Sequence, residues 1–492
     1  MSAEVLSGFQ PHSEILDWNH RGLQPVQEFA TLENYIFRGN TPQVKDQLRE
    51  AVKVYPEKYQ PKFKKDVANY QVTEVVSKEF PHGGSDVGVV FLSGGTGTAT
   101  GDAHIPAEIF LKSKENLSQK IGFAAALSSS ASRDTVDTAF PSSHAERAAH
   151  QAALVVDLLK RNPTKNLFVL GHSLGALEAA YMTPILEKLI EINGLETKVA
   201  GTILAHPLSY YEQRVVSFVK KFVDYQRHFM QPEITQKYPS RRDVAQVEEA
   251  YTLAKDGGEG ELASRLYTQL QEMQKRHDHP IDLTSEQEAK LINLDEQIDQ
   301  LWFGQDRRFF KGEVWPKSRS RKLHQLEKER RKMLKPLVQD WMQTGDMRGS
   351  KVPMKANWRV VRAVFLRKLS DSTIRPLPQY VREQLTGNVA VVLGEIDQLF
   401  KADEALSKME LWTTRQQEAY RKKNPDVTDE ELEEVGQFFP NASSVHEAII
   451  TNWSHHAPAT DSGKHGAIVT DLMKRMLTTQ EQPDKKTQVY YH

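Results

Sequence analysis

Fifteen residues constrain this chain more than any others: Asn166-Leu-Phe-Val-Leu-Gly-His-Ser-Leu-Gly-Ala-Leu-Glu-Ala-Ala180. The short apolar run Leu167 to Leu170 predicts a fully buried strand, and the Ala- and Leu-rich run after Gly175 predicts a helix. Between them, Gly171 and Gly175 bracket His172-Ser173-Leu174, and glycine at both ends lets strand and helix approach closely. Ser173 then stands at the apex of a sharp turn. A helix starting at Leu174 has unpartnered N–H groups and the positive end of its dipole in its first turn. The Leu174 N–H is therefore a candidate donor to any oxyanion formed beside Ser173.

The segments on either side predict a layered α/β architecture. Val87 to Leu92 reads as a buried strand and runs into Ser93-Gly-Gly-Thr-Gly-Thr-Ala-Thr-Gly-Asp102, a loop able to turn several N–H groups toward an anion. It lacks the Gly-Lys-Ser/Thr ending of a phosphate loop, and Gly95-Thr-Gly97 is followed by Gly101, one position out of register for a dinucleotide fingerprint. A helix over Pro106 to Lys114, a strand over Lys120 to Leu127 and a helix from Ser142-Ser143 to Leu159, with Glu146 as its capping-box acid, come next. Lys198 to Ala205 reads as a further strand ending at His206-Pro207. Strands apolar throughout, alternating with helices, predict a mostly parallel, doubly wound sheet.

Composition narrows the function classes. With 39% hydrophobic residues, 26% charged residues and a net charge of −1, bulk attraction to nucleic acid is not expected. The absence of cysteine removes disulfides, thiolate metal sites and cysteine nucleophiles, and it fits a cytoplasmic location. Met1 to Trp18 carries Glu4, Glu14 and Asp17 and has no secretory-signal pattern. No apolar run approaches the length needed to cross a bilayer. Neither a cofactor nor a metal ion is expected.

Residues 1–85 are polar and interrupted by proline, and read as an irregular extension packed on the core, with an early strand over Tyr70 to Val76. The core's first part covers 86–210. In 211–385 strand patterns give way to charged helical segments: Val215 to Tyr225, Arg242 to Lys255, Glu261 to Arg276, Ser285 to Trp302 and Arg321 to Gln343. Leu291, Leu294, Ile298 and Leu301 form one seam at coiled-coil spacing, so these helices are expected to pair in hairpins. Here Trp302-Phe303, Phe309-Phe310 and Trp315 could form a small core, line an acyl pocket or anchor at a lipid surface. The basic run from Lys317 to Lys335 could be a solvated face or touch anionic lipid. Core character returns over 386–480, with a strand at Asn388 to Leu393, then Gly394-Glu-Ile-Asp397. A strand over Glu447 to Trp453 and a helix over Gly466 to Leu477 follow. Residues 481–492 read as a disordered polar tail.

On Gly171-His-Ser-Leu-Gly175, the Ser93-Gly-Gly-Thr96 loop and Gly394-Glu-Ile-Asp397, the chain resembles a serine hydrolase of the α/β-hydrolase fold with a large helical cap, over about 85–210 and 385–478. The resemblance implies an esterase or lipase that cleaves a carboxylic ester through an acyl-enzyme, on a small-molecule or lipid ester. Ser173 is then the nucleophile and Asp397 the acid, with Glu395 as fallback. Oxyanion donors are the N–H groups of Leu174 and Gly95, with Thr96 next after Gly95. The histidine belongs between the last strand and last helix, where His455, His456 and His465 stand, and adjacency to Gly466 and the closing helix favours His465. Ser93 departs from the family's His-Gly. An acyltransferase or thioesterase on the same site, or a scaffold whose insertion meets a protein or membrane, are the alternatives.

Overall fold

The computed structural model describes residues 10–12, 29–37, 42–61, 63, 70–77, 85–94, 102, 104–117, 120–127, 144–207, 210, 213–214, 234–235, 237–256, 260–280, 283–303, 317–341, 373–374, 377–395, 397, 399–451, 453, 455, 458, 462–478 and 486–491. Two compact units emerge, Met1–Val223 with Gln343–His492 and, separately, Asp224–Met342. The helical unit is narrower than 211–385: β8 (Gln213–Arg214) and β9 (Thr373–Ile374) pair antiparallel, and both belong to the first unit.

In the first unit one sheet collects ten strands. They are β1 (Gln10–His12), β2 (Phe29–Phe37), β3 (Tyr70–Ser77), β4 (Ser85–Leu92), β5 (Ile121–Leu127), β6 (Thr164–His172), β7 (Lys198–Ala205), β10 (Asn388–Gly394), β11 (Ser444–Ile450) and β12 (Lys486–Tyr491). Their order is β1-β2-β3-β5-β4-β6-β7-β10-β11-β12. From β5 to β12 every neighbouring pair is parallel, while β1, β2 and β3 join antiparallel at one edge. Two expectations change here. The N-terminal segment is not merely an irregular extension, because β2 and β3 extend the sheet. The tail is not disordered throughout, because β12 pairs with β11 from Val445↔Lys486 to Ile450↔Tyr491. β12 is an edge strand and β2 lies next to the edge strand β1, and both mix polar with apolar residues, a pattern too weak to separate from a loop without the partner strand.

Helices cover both faces. Alternation along β4 sends Val87, Val89 and Phe91 to one side, where they meet Ile105, Ile109 and Phe110 of α2 (His104–Asn116) and Val469, Leu472, Met473 and Met476 of the C-terminal helix. α1 (Pro42–Ala51), α3 (His144–Arg161) and α4 (Leu174–Ile192) pack on one another. Between α3 and α4, Arg147 and Glu178 form a buried ion pair that also takes the Gln151 amide, so the buried carboxylate is both paired and hydrogen-bonded.

Glu187, on α4, provides a test of burial in this layer. Desolvation pushes its carboxyl up from 4.5 to about 7. Because the folded value lies above the unfolded one, its contribution is fully present below 4.5 and is lost as pH rises through 7. Glu187→Gln is expected to stabilise the protein by about 1–3 kcal/mol at pH 8 and to change little at pH 4. Urea unfolding at the two pH values checks this.

The second unit holds α5 (Arg241–Asp256), α6 (Gly260–Asp278), α7 (Ser285–Phe303) and α8 (Lys317–Trp341), each within a few residues of the sequence expectation. α5 packs with α6, and α7 with α8. In the second pair Leu294 and Ile298 meet Leu323 and Leu326, with Leu301 alongside, as the heptad spacing predicts. Arg330 is not part of a solvated basic face: it is buried, grips Asp295 through Nε at 2.5 Å and Nη2 at 3.2 Å, and donates to the Tyr238 carbonyl at 2.9 Å. Lys322, Lys328 and Lys332 are exposed. The expected helix at 215–225, Phe309, Phe310 and Trp315, and the side chains of Trp302 and Phe303, lie outside the described residues.

The remaining helices of the first unit are α9 (Gln379–Arg382), α10 (Ala402–Lys423), α11 (Asp429–Val435) and α12 (Ser462–Thr478). Among the described residues no helix is long and apolar enough to cross a membrane.

Candidate active site

The chain leaves β4 toward β5 on one side and returns to β6 on the other, so a crevice opens beyond the carboxyl ends of these strands, where parallel sheets bind ligands. Ser173 sits there, between β6 and α4, with φ 55° and ψ −114°. A non-glycine residue in this region carries strain of order 1–3 kcal/mol and persists only where its surroundings hold it. The surroundings here are close. A Cβ on Gly171 would lie 2.2 Å from the Gly175 carbonyl oxygen, and a Cβ on Gly175 would lie 2.2 Å from that of Leu92 and 2.5 Å from that of Ser93. The two glycines thus admit the turn and seat the start of α4 against the end of β4, as the spacing predicts. The Ser173 N–H is tied to the Ala205 carbonyl at 2.9 Å.

Asp397, beyond the end of β10, is fully buried. Its Oδ1 accepts the backbone N–H groups of Leu399 at 2.7 Å and Phe400 at 2.8 Å. Its Oδ2 accepts Nδ1 of His455 at 2.9 Å and Nδ1 of His206 at 2.6 Å. Burial alone would raise the Asp397 pKa, but the charge of His455 and the two imidazole hydrogen bonds hold the carboxyl well below the usual carboxylate range. An ionised carboxylate only accepts, so both Nδ1 atoms carry protons. The opposite nitrogen of His455, Nε2, then faces Ser173 Oγ at 3.1 Å as an acceptor.

The histidine that meets both Ser173 and Asp397 is His455, and not the favoured His465. His465 is in α12, buried, with its ring stacked on Trp453 at 5.7 Å. Gly466 beside it serves helix packing, because a Cβ there would come within 2.9 Å of the Glu108 backbone on α2. That contact presses α12 onto α2 and holds His465 inside a packed helix. His456, like Gly95 and Thr96, lies outside the described residues. Leu174 heads α4, where the N–H groups have no intrahelical acceptor. Asp397, and not Glu395, receives the His455 imidazole.

Sequence reasoning passed over two further histidines. His172 Nε2 donates to the His455 carbonyl at 2.9 Å, anchoring the main chain that carries the imidazole. His206 is fully buried, has φ 48° and bonds through its own N–H to the Val392 carbonyl at 2.8 Å. Burial lowers its pKa while Asp397 pulls it upward. Its position just after a predicted strand, at the same sheet edge as Ser173, was the available signal. His206, Asp397 and His455 are also a set, among the described residues, whose ligand atoms lie within 4.8 Å of one another, as a metal ion would need. In the arrangement seen, both Nδ1 protons point at Oδ2 and Nε2 of His455 is engaged by Ser173.

A parallel sheet therefore carries a serine turn after its central β6, an acid after β10 and a histidine after β11. The chain has the α/β-hydrolase fold. Among solved structures the chain is similar to a peroxisomal alpha-beta-hydrolase from Saccharomyces cerevisiae, at 10% identity and a TM-score of 0.40 over 93% of this chain and 90% of that one. It is similar to a hyperthermophilic esterase from Pyrobaculum calidifontis, at 13% identity and 0.32 over 88% and 92%. A thermophilic esterase from Thermogutta terrifontis is similar at 10% identity and 0.33 over 83% and 95%. No protein-family model and no curated protein matches the chain. The fold stands on strand order and on the placement of these side chains.

Proposed function

We propose that the protein is a serine hydrolase that cleaves carboxylic esters through an acyl-enzyme. The observation that carries this reading is the unbroken hydrogen-bond chain from Ser173 Oγ to His455 to Asp397, with the serine on a strained strand-to-helix turn. His455 Nε2 takes the Ser173 proton as Oγ attacks the acyl carbon, and Asp397 fixes the tautomer and stabilises the imidazolium. The Leu174 N–H, at the head of α4, receives the oxyanion, and the loop after Gly94, with Gly95 in it, is the second donor. His455 then returns the proton to the leaving alcohol, and water, activated by the same imidazole, releases the acid. Small-molecule or lipid esters are the substrates this chemistry serves.

A serine-reactive fluorophosphonate probe tests the reading. The intact protein is expected to be labelled, and Ser173→Ala is expected not to be. Equal labelling of both, read by mass spectrometry, removes the assignment.

A further inference from the structure

We infer that His206 is a positioning residue for the acid of this site: its Nδ1–H holds Asp397 Oδ2 where His455 Nδ1 can reach the same oxygen. The inference rests on the serine hydrolase reading and goes one residue further. Two backbone N–H groups fix Oδ1 of Asp397, but they leave Oδ2 to be shared by two imidazoles at 2.6 and 2.9 Å. A carboxylate oxygen has two lone-pair directions, so these donors fill it. Without the first of them, a buried charged oxygen would lose half its partners and the carboxylate would be free to tilt away from His455.

Three features of the chain converge on that single contact. His206 sits in the left-handed region at φ 48°, a conformation that persists only where neighbours impose it. Its N–H is held by the Val392 carbonyl on β10, the strand that delivers Asp397. Gly394, at the end of the same strand, leaves space for the ring, because a Cβ there would lie 2.7 Å from His206 Cε1. Trp453 lies nearly parallel to the imidazole at 6.1 Å, and the rings of His172 and His455 stand edge-on to it, each at 5.7 Å. The ring is thus walled in on all these sides, and its one polar contact among the described residues goes to the acid rather than to the serine.

The test uses the full chain and three variants, His206→Leu, His206→Asn and His206→Gln, assayed on p-nitrophenyl butyrate and by the rate of fluorophosphonate labelling. An asparagine amide nitrogen can occupy the place of Nδ1, whereas a glutamine amide reaches the place of Nε2. His206→Leu is expected to lower kcat about 10- to 100-fold with KM changed less than about two-fold, the size of one charge-assisted hydrogen bond felt in the transition state. His206→Asn is expected to recover most of that loss, and His206→Gln is not. Wild-type kcat in His206→Leu, or equal losses in all three, overturns the positioning role and leaves His206 a packing residue. A measurement on the unaltered protein guards against misfolded variants: in a nitrogen-15 histidine spectrum at neutral pH, His206 should carry its proton on Nδ1, and an Nε2–H tautomer overturns the inference. If the wild type is not labelled at all, the hydrolase reading fails and takes the inference with it. If it is labelled and His206→Leu is labelled as fast, only the positioning role is lost.

Discussion

His455→Gln is expected to lower kcat by about a million-fold, whereas His465→Phe is expected to leave it within about three-fold of wild type. The asymmetry follows from what each ring touches. His455 Nε2 is the acceptor 3.1 Å from Ser173 Oγ, and no other imidazole among the described residues is hydrogen-bonded to that hydroxyl. Removing it leaves an alcohol of ordinary pKa with no base, so the acyl-enzyme does not form at a useful rate. His465 is stacked on Trp453 within the α12 packing layer, and a phenyl ring keeps that stack. Kinetics of ester hydrolysis and thermal unfolding of both variants decide the matter. A loss in His465→Phe as large as that in His455→Gln, with both proteins folded, would return the catalytic role to the closing helix.

Asp397→Asn is expected to lower kcat by about ten thousand-fold with little change of shape. The amide has one oxygen where the carboxylate has two, and Oδ1 and Oδ2 together accept four N–H donors. Whichever way the amide is turned, its NH2 meets donors. If it faces the histidines, His455 can pair with it only by moving its proton from Nδ1 to Nε2. That tautomer presents a proton to Ser173 instead of a lone pair. The defect is one of protonation rather than binding, so kcat should fall much further than KM rises. The variant should also lose the pH dependence that this carboxylate gives the parent's stability. The folded Asp397 value lies well below 3.8, so its stabilisation is present above 3.8 and is lost only as pH falls through the lower, folded value. An Asp397→Asn protein as active as wild type would dismiss the triad.

Much of this was legible in the residues because it depends on local rules. The buried runs of β4, β6, β7 and β10, the helices of the insertion and the glycines around Ser173 are all set by apolar periodicity or by the room a Cβ needs. Asp397 was legible for the same reason, since it lies just past an unmistakable strand. β2 and β12 were not, because a strand at or beside the sheet edge that mixes polar with apolar residues carries a pattern only a neighbour makes meaningful.

The histidine shows where local reasoning ends. His455 lies between β11 and α12 and His465 in the first turn of α12, and nothing in their immediate neighbours says which faces the serine. Gly466, beside His465, is contact room for two helices. His206 is further still from being readable, since 191 residues separate it from the Asp397 it holds. By itself the sequence determined the layered sheet, the serine turn and a carboxylate just past β10, because each is a matter of spacing along one segment. Only the tertiary structure decided which imidazoles meet that acid, because hydrogen bonds between distant segments depend on where whole strands and helices come to rest.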